Sequence, residues 1–167
     1  SDLSHTVHAS TEQPRQAPGS PSTLEFTLAP ALHRALLASQ PGRSHDLLYL
    51  LDGAGRFAES EPLHRLLIAA FPEDFTWYFA LADSLRDQGR REDALAEADL
   101  ALRWGYGDNR LRAAMLRAEL LRDLDRRAEA RATIEEALTA PVPAEEGVRT
   151  HRYRAKLEAL LAELAAP

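Results

Sequence analysis

Residues Phe75–Asp108, FTWYFALADSLRDQGRREDALAEADLALRWGYGD, decide how the chain folds. Tyr78, Leu81, Ala82 and Leu85 stand at i, i+3, i+4 and i+7, one apolar stripe of a helix. Asp87-Gln88-Gly89-Arg90 interrupts that stripe, and Gly89 is free to take the left-handed conformation that ends a helix. A second stripe follows in Ala94, Leu95, Ala98, Ala101 and Leu102, and Trp104-Gly105-Tyr106-Gly107-Asp108 closes it. Ala82, Ala94 and Ala98 are small where the two helices should face each other, so the axes can approach to the short end of the ~8–10 Å range.

A helix pair this short cannot bury its own apolar face, which predicts copies of it stacked on either side. Counting back 34 residues lays Gly55-Arg56-Phe57-Ala58-Glu59 over Gly89-Arg90-Arg91-Glu92-Asp93, and Leu47, Leu48, Leu51 and Leu67 over Leu81, Ala82, Leu85 and Ala101. Counting forward 36 residues lays Ala114, Ala118, Leu121, Ala130, Ile134 and Ala137 over Tyr78, Ala82, Leu85, Ala94, Ala98 and Ala101. The two extra residues are expected in the turn around Asp108–Arg110, where an insertion costs little.

Tyr78-x2-Leu81-Ala82-x2-Leu85, then Ala94-x3-Ala98-x2-Ala101, with Pro72 late in the preceding copy, resembles the tetratricopeptide repeat (TPR) pattern. The first copy departs from it with Leu48 and Ser60 at small positions and His64 at an aromatic one. The third has Arg117 in place of Leu. The resemblance implies an all-α fold, an α-solenoid of TPR-like helix–turn–helix repeats wound as a right-handed superhelix.

Residues 1–23 are rich in Ser, Thr, Pro and Gln with almost no large apolar side chains, so they are expected to be a disordered tail or linker. The repeat domain is expected over 24–167: a preceding helix at 29–40, repeats at about 41–74, 75–108 and 111–144, and a capping helix at 145–165. Pro41-Gly42 is expected to remove the first turn of the first repeat, whose helix would start at Ser44 and be shorter than its counterparts. The second helix of that pair is expected at about Phe57–Phe71, the third pair at about Arg110–Leu124 and Arg127–Thr139, and the last helix at about Ala144–Leu164. The last has Tyr153, Leu157, Leu160, Leu161 and Leu164 on one side and charge on the other, as a terminal cap requires.

Composition removes several function classes. A formal net charge of −6 argues against a nucleic-acid or anionic-membrane binder. No apolar run approaches the ~20 residues of a membrane span. Zero cysteines leave no thiol nucleophile and no disulfide framework. No phosphate-binding loop, dinucleotide fingerprint, metalloprotease motif or serine elbow occurs, so an enzyme and a cofactor are not expected. His5 and His8 lack a third ligand and are not read as a metal site. His64 is expected to replace an aromatic between helices, and His33, His45 and His151 to lie on the surface. Lys156 is the sole lysine, and the Arg- and Ala-rich usage resembles high-GC bacterial coding. Met115 is the only methionine, as expected of a processed chain or a piece of a longer one.

The TPR resemblance implies a concave groove lined by the first helix of each pair. Carried over, its residues are His45, Tyr49 and Asp52, then Thr76, Phe79, Asp83 and Arg86, then Arg112, Met115, Glu119 and Arg122. The implied partner is another protein or an extended peptide, its acidic groups pairing with Arg86, Arg112 and Arg122. Two readings of Phe79 and Met115 stand: anchors for a partner's apolar side chains, or packing against the neighbouring repeat. The TPR domains that clamp chaperone C-termini use Lys and Asn where this chain has His45, Tyr49, Ala80, Arg112 and Leu116, so that subtype is not expected. Gly105–Arg112 resembles turns of TPR tails that follow thioredoxin-like domains in bacteria, which leaves an accessory module of a larger enzyme as an alternative. Self-association as a homo-oligomer through the solenoid ends is a third.

Overall fold

The computed structural model describes residues 41–141 and 147–166. They form seven helices: α1 Pro41–Gly53, α2 Phe57–Ala70, α3 Phe75–Asp87, α4 Arg91–Trp104, α5 Asp108–Asp123, α6 Arg127–Thr139 and α7 Val148–Ala165. No strand occurs among the described residues. The expected tail at 1–23 and the preceding helix at 29–40 lie outside them.

The turns inside the three pairs are copies of one another. Gly55, Gly89 and Asp125 all have positive φ, at 70°, 75° and 59°. The N–H of the next residue then reaches back to close the helix: Arg56 to the Leu51 carbonyl at 2.9 Å, Arg90 to Leu85 at 3.0 Å, and Arg126 to Leu121 at 2.8 Å. This is the 6→1 bond of a Schellman cap, and it satisfies a carbonyl that the helix itself leaves orphaned. Between the first two pairs, Asp74 caps α3 by accepting from the Thr76 N–H at 2.9 Å. The Tyr78 hydroxyl donates to the Pro72 carbonyl at 2.6 Å, which ties that connection to the core.

Small residues let the pairs close. Ala82, Ala94, Ala98 and Ala101 have no exposed surface, and neither do Ala114, Ala118 and Ala130 one pair further on. Leu81, Leu85, Leu121 and Ile134 fill the space between them in one continuous cluster. Burying each such side chain is worth about 1.5–3 kcal/mol. Leu157, Leu160 and Leu164 of α7 complete that cluster by packing across α5 and α6. Two arginines then cap helix ends reciprocally: Arg154 donates to the Leu138 carbonyl of α6 at 3.1 Å, and Arg127 to the Leu164 carbonyl of α7 at 3.1 Å.

Three boundaries differ from expectation. Helix α1 begins at Pro41, not Ser44, and at 13 residues equals α3. Proline lacks only an N–H that a first turn leaves unpaired, so Pro41 starts the helix instead of shortening it. The extra residues of the third copy lengthen α5 to 16 residues instead of its connection. Gly107 turns the chain with φ 54°, and Asp108 sits in the first turn, where the helix dipole favours a carboxylate. Helix α7 starts at Val148, after Gly147 in extended conformation, not at Ala144.

Candidate partner-binding face

Two adjoining cavities open on the side formed by the first helix of each pair. The larger, about 650 Å³, lies between α1 and α3 and reaches the start of α5. Of the expected residues it takes His45, Tyr49, Asp52, Thr76, Phe79, Asp83 and Arg112. The smaller, about 280 Å³, lies between α3, α5 and α7 and takes Arg86, Met115 and Glu119. Phe79, Asp83 and Arg112 line both, forming a shared wall. Arg122 lines neither; it pairs with Asp123 at 3.1 Å and with Glu163 of α7 at 3.4 Å.

Aromatic stacking builds the wall. The Phe75 and Phe79 ring centroids are 5.2 Å apart, and the Arg112 guanidinium carbon stands 4.6 Å from the Phe79 centroid and 5.7 Å from that of Phe75. A cation over an aromatic face is attracted by the ring quadrupole. Arg112 also donates to Asn109 Oδ1 at 3.3 Å. Phe79 and Met115 are half-buried: each packs on the core with one side and lines a cavity with another. Packing on the neighbouring repeat and exposure to a cavity therefore coexist in both side chains.

The charges on this face are unequal in availability. Arg86 bridges Asp83 at 2.6 Å and Glu119 at 2.9 Å, so it is neutralised from α3 and α5. Burial pushes the Asp83 carboxyl above the usual range, with Arg86 opposing. Asp52, expected to face a partner, lines the larger cavity and is also a hub. It accepts from Ser84 Oγ at 3.0 Å, from Ser60 Oγ, and from His64 Nε2 at 2.9 Å. Ser60 and His64 are completely buried, and burial lowers the His64 pKa against the pull of Asp52. A neutral imidazole donating through Nε2 fits both facts. Among the described residues Arg112 makes no salt bridge, although its charge acts on the Asp83 carboxylate on the same wall.

The sequence reading missed what α7 supplies. Tyr153 and Lys156 line the smaller cavity, although α7 was expected only to close the stack. Phe75, Ser84, Asp87 and Asn109 were missed in the larger one. The basic third repeat is neutralised on its own surface, with Arg110, Arg126 and Arg131 paired to Glu136, Glu129 and Glu135. Arg117, at a Leu position of the pattern, pairs with Asp99 and donates to Thr133.

The arrangement defines an all-α solenoid of helix–turn–helix repeats closed by a terminal helix. Among solved structures the chain is similar to SycD, a type III secretion translocator chaperone of Yersinia enterocolitica. The TM-score is 0.57 at 16% identity, over 77% of this chain and 91% of that one. No family model matches the chain. No curated protein matches it either.

Proposed function

We propose that this chain is a non-enzymatic protein–protein interaction module that binds a partner protein or an extended peptide along the first helices of its repeats. The observation that carries the reading is the pair of adjoining cavities with a shared wall of Phe79 and Arg112. Apolar surface beside a guanidinium that makes no direct salt bridge suits a partner that brings apolar side chains and an acidic group. The likeness to a chaperone fold is in keeping with a binding role, and the missing catalytic motifs with a non-enzyme. No helix of the described residues is long and apolar enough to cross a membrane.

The test is selection of a phage-displayed random peptide library on the full chain, beside Phe79→Ala and Arg112→Ala chains of checked thermal stability. Peptides that bind the first and are lost from the variants place binding at the wall. Enrichment of no peptide, or of the same peptides on all three, sinks the reading. A second reading, self-association through the N-terminal end, is favoured by Leu47 and Leu50 of α1, which are 46% and 68% exposed. A solution mass that does not change with concentration would remove it.

A further inference from the structure

A further cavity, of about 610 Å³, lies between the α2–α3 connection and the α4–α5 connection. None of the residues expected from the repeat resemblance lines it. Phe75 and Asn109 are the part of its lining that it shares with the larger cavity of the candidate partner-binding face.

Both connections hold aromatic rings at this cavity. Tyr106 stands between Gly105 and Gly107 and is 85% exposed. A β-carbon on Gly105 would lie 3.0 Å from the Ala101 carbonyl oxygen and 3.0 Å from the Arg110 Cα, both of them backbone. Gly107 has φ 54° and ψ −128°, a conformation that residues with a side chain rarely adopt. The Tyr106 carbonyl in turn accepts from the Asn109 N–H at 3.1 Å. The ring is therefore displayed by its backbone and not by packing. Beside it in the lining is Trp104, half-buried. From the other connection comes Phe71, whose ring centroid is 6.4 Å from that of Trp77.

The charge of the lining has one sign. Glu73 and Asp74 are its charged residues, and both are exposed. Neither makes an ion pair with another described residue, and Asp74 accepts only the Thr76 N–H. Two cations approach the rings without lining the cavity: Arg103 at 5.3 Å from the Trp104 centroid and Arg112 at 5.7 Å from that of Phe75. An aromatic face and a carboxylate attract the same ligand, a cation. A guanidinium satisfies both together, because it stacks flat on a ring while its N–H fork reaches a carboxylate.

We infer that this cavity binds an arginine side chain of a partner protein, its guanidinium stacked on the Trp104 and Tyr106 rings and paired with Glu73. The inference goes beyond the binding role given to the face above and does not depend on it. It supplies a second site, for a partner of basic character.

The chain's two tryptophans provide the test. Trp104 lines the cavity and Trp77 is buried, so fluorotryptophan labelling gives one reporter and one internal reference. The full chain is titrated by ¹⁹F NMR with capped Gly-Gly-Arg-Gly-Gly, and separately with the lysine and citrulline versions. Citrulline keeps the shape of arginine without its charge. The Trp104 resonance should move saturably with the arginine peptide while the Trp77 resonance stays in place. Citrulline should bind about tenfold more weakly, and lysine about threefold. Glu73→Gln should lower the arginine affinity about fivefold, and Tyr106→Ser about threefold. Both side chains are exposed, so neither substitution removes a core contact. Equal binding of arginine and citrulline overturns cation recognition, and equal binding of lysine overturns the assignment to a guanidinium. A Trp104 resonance that stays still, or that moves only together with Trp77, overturns the site. Affinity unchanged in both variants overturns it too, because the peptide is then held by other residues. Each of these failures leaves the partner-binding face to its own peptide selection.

Discussion

The first helix pair and the second solve one packing problem in opposite ways. In α3 and α4 the interface is dry: Ala82, Ala94 and Ala98 are fully buried and no polar side chain is needed. In α1 and α2 the matching positions hold Leu48, Ser60 and His64, and the contact is organised by Asp52. That carboxylate also reaches Ser84 of α3, so one side chain ties three helices together. The alanine interface has nothing to lose but contact. The polar one depends on every donor keeping its acceptor, and buried hydrogen bonds are costly to leave unmade.

The largest effect is therefore expected at Asp52. Asp52→Ala should cost about 3 kcal/mol, because Ser60, His64 and Ser84 lose one acceptor together. Chemical denaturation of the two chains measures it, and a loss below 1 kcal/mol would show that water replaces the carboxylate. Next comes overpacking of the dry pair. Ala94→Leu should cost ~1–3 kcal/mol, since a side chain with zero exposure has no open solvent into which a larger one can extend. Unchanged melting of Ala94→Leu would mean that α3 and α4 can part without cost, against the register described here.

The dry pair was legible in the sequence and the polar one was not. Alanine and leucine at i, i+4 and i+7 report packing directly, because burial follows the helical period. Leu48, Ser60 and His64 instead read as three separate departures from a pattern. That they share one carboxylate depends on the arrangement of α1, α2 and α3, which no local spacing encodes. The same limit affected the candidate partner-binding face. Its expected residues were carried over from the repeat resemblance, but the neutralising of Arg86 by Glu119 and of Arg122 by Glu163 is a contact between pairs. Lys156, on the charged side of the last helix, lines a cavity because α7 stands beside α5 as a further first helix would.

Titration separates the two pairs more gently. Burial lowers the His64 pKa, so in the window from its ordinary value of about 6.5 down to its folded value the unfolded chain binds more protons. Stability from this group is thus complete above about pH 6.5 and is lost as pH falls through that window. Asp52 and Glu61 face the imidazole and favour its charge, while Arg65 opposes it. Thermal melts between about pH 7.5 and about pH 5.5 should fall toward acid in the native chain and run flatter in His64→Phe. Equal slopes would assign the acid sensitivity to other groups.

The smallest expected effect lies at the one turn that breaks the glycine rule. Gly55 and Gly89 take left-handed conformations at no steric cost, whereas Asp125 does so with a β-carbon. A left-handed residue other than glycine costs roughly 1–2 kcal/mol, less for Asp, and glycine returns part of any gain through the entropy of the unfolded chain. Asp125→Gly should therefore stabilise the third pair by only about 0.5 kcal/mol. Gly89→Ala is its counterpart, and a β-carbon there meets nothing within 4 Å, so the substitution reports backbone strain free of clash. It should cost about 1 kcal/mol. Opposite signs for the two substitutions would show that the turns are equivalent and differ only in how each residue tolerates positive φ. If Asp125→Gly also destabilises, the Asp125 side chain contributes to its turn in a way that Gly55 and Gly89 do not, and the third pair is held by something beyond the shared cap.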